Sequence, residues 1–423
     1  MRLRDLAKKA LRSRESINVA KLTSGNAMSM AIPFLAAPVL SRIYEPADYG
    51  HLSYLMAACG ILGCFATLEV HQAIFAEKDP EEASATAWTA LVIGATLSAA
   101  VLGVVGATMA ATDLLAGPRA WAAVAPLALS ATAAQATAER LANLDRRYTS
   151  IAVLRTSRVL LSTTLAIAVG LRVSGSTGLL VAYSFSQAVS LLASIWLLKT
   201  SSTLRACPPV STLRATLRRH RQFAACGLPT NFIERWAEQL PILAFAQLGA
   251  PDSSGSFNRA RMLVTSPITL AISSVSSVYQ ERASRVFHRT GSCQTEARQT
   301  TALLALAGLP VLVIGMILCR PFIDFFLGPD WGDAGTFALI LAPMLYVRAV
   351  VAPISTAYGF ARQQKLDLFV TGLPVGLSSV AFLLLVLTEH PPIFAVYLYS
   401  ASYTLVHTIQ GIGAFRISGS STS

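Results

Sequence analysis

A chain of 423 residues that is 53% hydrophobic, only 13% charged and has a mean hydropathy of +0.54 is too apolar for a soluble globule, where about a quarter of residues are charged. Its formal charge of +12 raises nucleic acid as a partner. The basic residues, however, are dispersed over short segments between apolar runs and form no recognisable binding module, which argues against that class.

The composition is that of a polytopic membrane protein. A bilayer core about 30 Å thick takes roughly 20 apolar residues per span, and lipid offers no water to unpaired backbone groups, so each run is predicted to be a helix. The alternating ten-residue segments of a membrane barrel are missing. The fold class read from the sequence is therefore an all-α integral membrane protein with about twelve transmembrane helices.

In chain order, residues 1–16, MRLRDLAKKALRSRES, form a basic cytoplasmic amino end that orients the chain, with Leu3, Leu6 and Leu11 placed to turn into the interface. The run that follows is too long, and too interrupted by Lys21 and Arg42, for a cleavable signal peptide. Spans are predicted near 17–44, 50–76, 84–112, 120–143, 150–172 and 178–199, which makes residues 17–199 an N-terminal six-helix lobe. Residues 200–221, with Pro208 and Pro209, form a basic cytoplasmic linker. Spans near 222–248, 256–281, 300–326, 335–361, 367–388 and 392–415 make residues 222–416 a C-terminal six-helix lobe, followed by a cytoplasmic tail, 417–423.

The lobes are two copies of one unit. Asn26, Pro46 and Gly50 of the first helix pair return 205 positions later as Asn231, Pro251 and Gly255. Because each unit has an even number of spans, the copies share an orientation, related by a pseudo-two-fold along the membrane normal with a cavity expected between them.

Orientation follows from the cations. Lys8, Arg12, Arg146, Arg147, Arg205, Arg218, Arg285, Lys365 and Arg416 fall in one alternating set of loops, while the other set holds only Arg119 and Arg172. Both termini are thus expected in the cytoplasm. The six cysteines are scattered and imply neither a disulfide framework nor a metal site.

Ten basic residues nonetheless fall inside predicted spans: Lys21, Arg42, Arg140, Arg155, Arg158, Arg235, Arg259, Arg261, Arg320 and Arg348. Facing lipid, such a set would cost roughly 25–35 kcal/mol, so its members must snorkel, pair with carboxylates, or line water. At 1.5 Å per residue, Arg235 lies about 21 Å from the outer turn at Gly249, and Arg348 about 20 Å from that at Gly335. For Arg235, pairing with Glu238 one turn on is the competing structural reading. The carboxylates expected to be buried within spans are fewer: Glu69, Glu139, Glu234 and Glu238. A surplus of arginine makes a cavity positive, and the guanidinium fork suits phosphate oxygens.

The chain offers no metal-ligand spacing, nucleotide-binding loop or Ser/His/Asp set, so no cofactor and no enzymatic activity is expected. Energy would come from an ion gradient, the membrane potential or the substrate's own gradient.

Three stretches resemble the polysaccharide-lipid flippases of the multidrug/oligosaccharidyl-lipid/polysaccharide exporter superfamily: Pro38-Val-Leu-Ser-Arg42-Ile-Tyr-Glu-Pro46-Ala-Asp-Tyr-Gly50; Gly255-Ser-Phe-Asn-Arg259-Ala-Arg261 with Pro267; and Phe326-Leu-Gly328-Pro-Asp-Trp331-Gly-Asp-Ala-Gly335 with Leu341-Ala-Pro343. The resemblance implies flipping of an undecaprenyl-diphosphate-linked oligosaccharide, such as an O-antigen, capsule or exopolysaccharide unit, from the inner to the outer leaflet of a bacterial cytoplasmic membrane. It implies alternating access through a cationic lumen and points to a polysaccharide polymerase or export complex as partner. Arg42, Arg259 and Arg261 stand in the matching stretches, and Arg235 and Arg348 join them as substrate-binding candidates because of their depth. Glu69, Glu234 and Glu238 are the candidates for proton or sodium coupling. The alternative is an ion-coupled drug or metabolite exporter of the same superfamily, which the arginine surplus disfavours for cationic drugs.

Overall fold

The structure, a computed structural model, describes residues 14–77, 79–111, 123–173, 175–361 and 363–419. The basic amino end through residue 13, Lys78, Arg119 and Arg362 lie outside them, as do the side chains of Lys21 and Lys365. Among the described residues every regular element is helical.

Twelve helices of 18 residues or more follow one another among the described residues. They are α1 (Arg14–Ile43), α2 (Pro46–Gly63), α3 (Pro80–Ala111), α4 (Ala125–Leu144), α5 (Tyr148–Gly170), α6 (Ser176–Lys199), α7 (Leu228–Gln247), α8 (Pro251–Thr290), α9 (Gln294–Leu327), α10 (Gly332–Ser355), α11 (Gln364–Leu387) and α12 (Ile393–Gly419). By length and composition six of these are apolar enough to cross a membrane, and seven if the bent α8 is one span. The charge-bearing helices fall short for a physical reason. Glu139 and Arg140 interrupt α4, while Glu234, Arg235 and Glu238 interrupt α7, and such residues need a protein or water neighbour.

The chain divides into two compact units. The first takes the chain up to Ile43 and Leu55–Arg235; the second takes Tyr44–Tyr54 and the chain from Trp236 on. The turn between α1 and α2, and the opening of α2, thus belong with the second unit.

In the first unit, Ile74, Ala83, Ala87, Ala138, Leu141, Ile151, Leu154, Leu197 and Leu198 form one buried cluster. Alanine predominates on α3 and α4, and a side chain at Gly94 would strike Ala133, so small residues set how closely these helices approach. The second predicted span, 50–76, is not one helix. It ends at Gly63, passes through Leu68 and Glu69 in left-handed conformations (φ 46° and 58°), and resumes as a 3-10 helix, Val70–Ala76. Polar side chains gather at the break: the Thr67 hydroxyl and His71 Nδ1 are 2.8 Å apart, and Gln72 donates to Glu69 at 3.3 Å.

The connection from Thr200 to Arg221 is fastened to the first unit. Asp145, in the α4–α5 turn, accepts hydrogen bonds from the hydroxyls of Ser201 (2.6 Å), Ser202 (2.7 Å) and Thr203 (2.8 Å) and from the Ser202 amide (3.2 Å). Trp88 Nε1 donates to the Arg205 carbonyl at 2.9 Å, and a short helix, Val210–Arg219, buries Leu213 and Thr216. His220 Nε2 then lies 2.5 Å from Glu77. Burial alone would push the Asp145 pKa up, but the donated hydrogen bonds outweigh it and hold the carboxyl below its ordinary range. The stability it lends is present above the ordinary carboxylate pKa and is lost as pH falls through the depressed value. Asp145→Ala is expected to cost roughly 1–2 kcal/mol after solvent screening and to expose the linker, measured as faster tryptic cleavage within 200–221 while the helices stay intact.

In the second unit, Tyr279, Ala283, Phe287, Cys293, Ala297, Ile354, Ala357, Tyr358, Ala414 and Ile417 form the core. The Cys293 amide donates to the Ser418 carbonyl at 2.8 Å, tying the end of α12 to the α8–α9 turn. Helix α9 presents Leu306, Val311, Ile317 and Phe325 outward, as a lipid-facing span does.

Candidate functional site

Within the first unit the intramembrane cations are mostly answered locally. Arg155 grips Glu139 through Nε (3.0 Å) and Nη2, and Gln135 Nε2 donates to the same carboxylate at 2.9 Å. Gln135 Oε1 in turn accepts from Arg158 Nη1 (2.7 Å) and the Ser190 hydroxyl (3.2 Å). The result is a closed network on α4, α5 and α6. Arg140 Cζ lies 5.3 Å from the Phe75 ring centroid and within electrostatic reach of Glu69 and Glu139.

Glu69 is buried on the left-handed break, and its side chain lies where a Cβ at Gly227 would come within 3.4 Å of it. Beside it, Cys64 Sγ is 3.7 Å from the Asn231 carbonyl, and the Phe65 and Phe232 rings are 5.7 Å apart. Glu234 and Arg235 follow one turn on, both exposed. Arg42 is exposed and turns back on its own helix, donating from Nη1 to the Pro38 carbonyl at 2.7 Å.

Within the second unit three of the candidates share a neighbour. Glu238, Arg261 and Arg348, from α7, α8 and α10, all lie within electrostatic reach of the Tyr403 hydroxyl on α12. Arg261 Nη1 donates to the Glu238 carbonyl oxygen at 2.8 Å rather than to its carboxylate. Arg348 also acts electrostatically on His407, one turn beyond Tyr403, whose buried Nε2 lacks a partner among the described residues. Among the charged groups that act on the Tyr403 hydroxyl, two are guanidinium groups and one is a carboxylate.

Arg259 is placed differently. It is 6% exposed, and its Cζ sits 3.6 Å from the ring centroid of Tyr49. The Tyr49 ring also meets Trp331 at 5.8 Å and Tyr44 at 6.0 Å. Around this cage α2 and α8 cross backbone to backbone. A β-carbon at Gly50 would overlap the Pro251 carbonyl, and one at Gly255 would overlap the Pro46 carbonyl and come to 3.0 Å from the Gly50 nitrogen. Asn258 Nδ2 donates to the Ser53 hydroxyl at 2.7 Å, a pair 205 positions apart. The three stretches that carried the family resemblance therefore converge on Tyr49, Arg259 and Trp331.

A sequence profile described as "Polysaccharide biosynthesis protein" matches residues 39–335, from the end of α1 to the start of α10. The chain belongs to that family. No curated protein matches this family member. Among solved structures, "Lipid II flippase MurJ, inward closed conformation" superposes with a TM-score of 0.72 at 13% identity, covering 94% of this chain and 89% of that one. A multidrug resistance transporter, "Inward-facing conformation of a multidrug resistance MATE family transporter of the MOP superfamily", gives 0.58 at 14% identity, with 94% of each chain covered. A Pyrococcus furiosus MOP superfamily transporter, whose title reads "Reverse polarity of binding pocket suggests different function", gives 0.53 at 17% identity, with 97% of each chain covered. At these identities the likeness establishes the fold alone.

The sequence reading of this polysaccharide biosynthesis family member passes over Tyr49, Ser53, Asn258, Gln135, Tyr403 and His407. For Ser53 and Asn258 a signal exists, since the 205-residue shift that pairs Gly50 with Gly255 also pairs these two. For Gln135 and Tyr403 there is none, because a neutral side chain in an apolar run looks the same whether it lines a cavity or fills a core.

Proposed function

We propose that the protein flips a polyprenyl-diphosphate-linked oligosaccharide from the inner to the outer leaflet of a bacterial cytoplasmic membrane, undecaprenyl diphosphate being the carrier. Membership of a polysaccharide biosynthesis family supports the substrate class, and the twelve-helix fold supports alternating access. The observation that carries the reading is the unequal charge around Tyr403. Arg261 and Arg348 act on the Tyr403 hydroxyl alongside a single carboxylate, Glu238, and Arg261 directs its hydrogen bond to the Glu238 carbonyl oxygen.

A diphosphate brings acceptor oxygens and negative charge, and the guanidinium fork matches both. Arg42 and Arg235 in the first unit, and Arg259 in the second, are the remaining cationic candidates. The polyprenyl tail stays in lipid, because a chain of that length has no need to leave the hydrocarbon for its head group to cross. For coupling, the candidates are Glu69, within electrostatic reach of Arg140, Glu238, whose backbone carbonyl accepts from Arg261, and Glu234. A proton or sodium ion on one of them would cancel a charge that otherwise competes with the substrate. Both termini would then be cytoplasmic, and a polymerase or export complex would take the product at the outer face.

The test uses inverted and right-side-out vesicles loaded with labelled lipid-linked oligosaccharide. Arg235→Ala, Arg261→Ala and Arg348→Ala are each expected to slow appearance of the sugar on the far side. Rates equal to wild type in all three would remove the basis of the assignment.

A further inference from the structure

We propose that the short helix Val210–Arg219 and the residue pair after it form a docking site for anionic phospholipid, with Arg214, Arg218 and Arg221 holding the head groups. The inference goes beyond the flippase reading and stands without it, since it concerns the bilayer around the protein and not the molecule carried.

The connection is fastened to α3 before any lipid meets it. The Arg205 amide donates to the Ser84 hydroxyl at 2.9 Å and its guanidinium pairs with Glu81 at 2.8 Å. Arg219 pairs with Glu82 at 2.6 Å, and the Glu77 oxygen that His220 Nε2 meets also accepts from the Thr86 hydroxyl at 3.1 Å. All these partners belong to the first turns of α3 or to the residues just before it. The short helix therefore lies at the level where a span enters the bilayer.

Three stripes run along it. Leu213, Thr216 and His220, spaced three and four, are buried. Arg214, Arg218 and Arg221, spaced four and three, are exposed. Between these two stripes run Val210, 65% exposed, and the half-buried Leu217, seven positions apart. The basic residues divide accordingly. Arg205 and Arg219 are answered by carboxylates, whereas Arg214, Arg218 and Arg221 make no ion pair and no side-chain hydrogen bond among the described residues. The carboxylates that meet the connection, Glu77, Glu81, Glu82 and Asp145, are all engaged by other groups.

A connection that only oriented the chain would need its charges between two spans, with no demand that they gather on one side of a folded helix. An apolar edge beside a cationic stripe is the pattern of a helix lying in the interface, where aliphatic side chains reach the acyl boundary and guanidinium forks meet phosphodiester oxygens. A lipid leaflet matches both features and is already adjacent, which favours it over an acidic protein. Each basic residue held at an anionic surface strengthens association about fivefold, so three together act about 100-fold, and salt weakens the effect.

The experiment titrates the detergent-purified full chain with dioctanoyl-phosphatidylglycerol, or with neutral dioctanoyl-phosphatidylcholine, and reads the tightest binding step by native mass spectrometry. Arg214→Gln/Arg218→Gln/Arg221→Gln is expected to weaken the phosphatidylglycerol step about 100-fold and to leave phosphatidylcholine unchanged. Lysine at the same three positions should keep most of the affinity. Arg282→Gln/Arg285→Gln/Arg289→Gln, which removes as many charges near the end of α8, should bind as wild type does. A second arm keeps the bilayer and the three arginines. A bimane on Val210→Cys in a Cys207→Ser background, corrected for labelling of Cys207→Ser alone, is expected to be quenched more by a head-group spin-labelled lipid when the vesicles contain phosphatidylglycerol than in phosphatidylcholine alone. Unchanged affinity in the glutamine variant would overturn the proposal and leave the stripe to an acidic protein. An equal loss in the α8 variant, equal binding of the two lipids by wild type, or quenching indifferent to phosphatidylglycerol would each overturn it as well. Should the glutamine variant melt below wild type, the lysine variant and the vesicle arm still decide.

Discussion

Replacing Arg261 and Arg348 together by glutamine is expected to slow translocation about 100-fold, and each alone about tenfold. A hydrogen bond to a charged group contributes about 1.5–3 kcal/mol, and about 1.4 kcal/mol is a factor of ten. Both arginines act on the same neighbourhood, around Tyr403. Lysine at either position should restore part of the rate, since it supplies the charge without the planar fork. Initial rates in vesicles, set beside melting temperatures of the same variants, separate a binding loss from a folding loss. A double variant that transports as fast as wild type would refute the role.

The other large effect concerns stability. Glu139→Gln should destabilise the first unit by about 2–4 kcal/mol, after allowing for the 33% exposure of the Arg155 side chain. The carboxylate is the acceptor for Arg155 and Gln135, and through Gln135 it orients Arg158. Without it, Arg155 and Arg158 remain near one another with no compensating charge in a region of low dielectric. The double variant Glu139→Gln/Arg155→Gln should recover much of the loss, because the uncompensated cation is gone. Thermal unfolding in detergent reads both, and equal melting temperatures for Glu139→Gln and wild type would contradict the network.

These two cases show how far residue patterns reach. The number and order of the helices were legible because each span must satisfy the bilayer by itself, and the 205-residue shift placed the start of α8 as far from Pro46 as Pro251 is. The break after Gly63 was not legible, because it depends on where Thr67, Glu69 and His71 find partners. The family stretches pointed to a place of consequence, but only the fold shows that Tyr49, Arg259 and Trp331 meet there. Depth along a helix set Arg348 well inside the span; it said nothing of Arg155 and Glu139, whose encounter joins α5 to α4.

The reciprocal glycine crossing also bears on how the two halves have been free to change. Most positions of a duplicated unit face different surroundings in each copy and so accumulate differences independently. Gly50 and Gly255 each press on the proline that begins the other copy's helix, so a bulkier residue arising in either is felt by both. Divergence at this one point is coupled, and ancestral sameness should persist there longest.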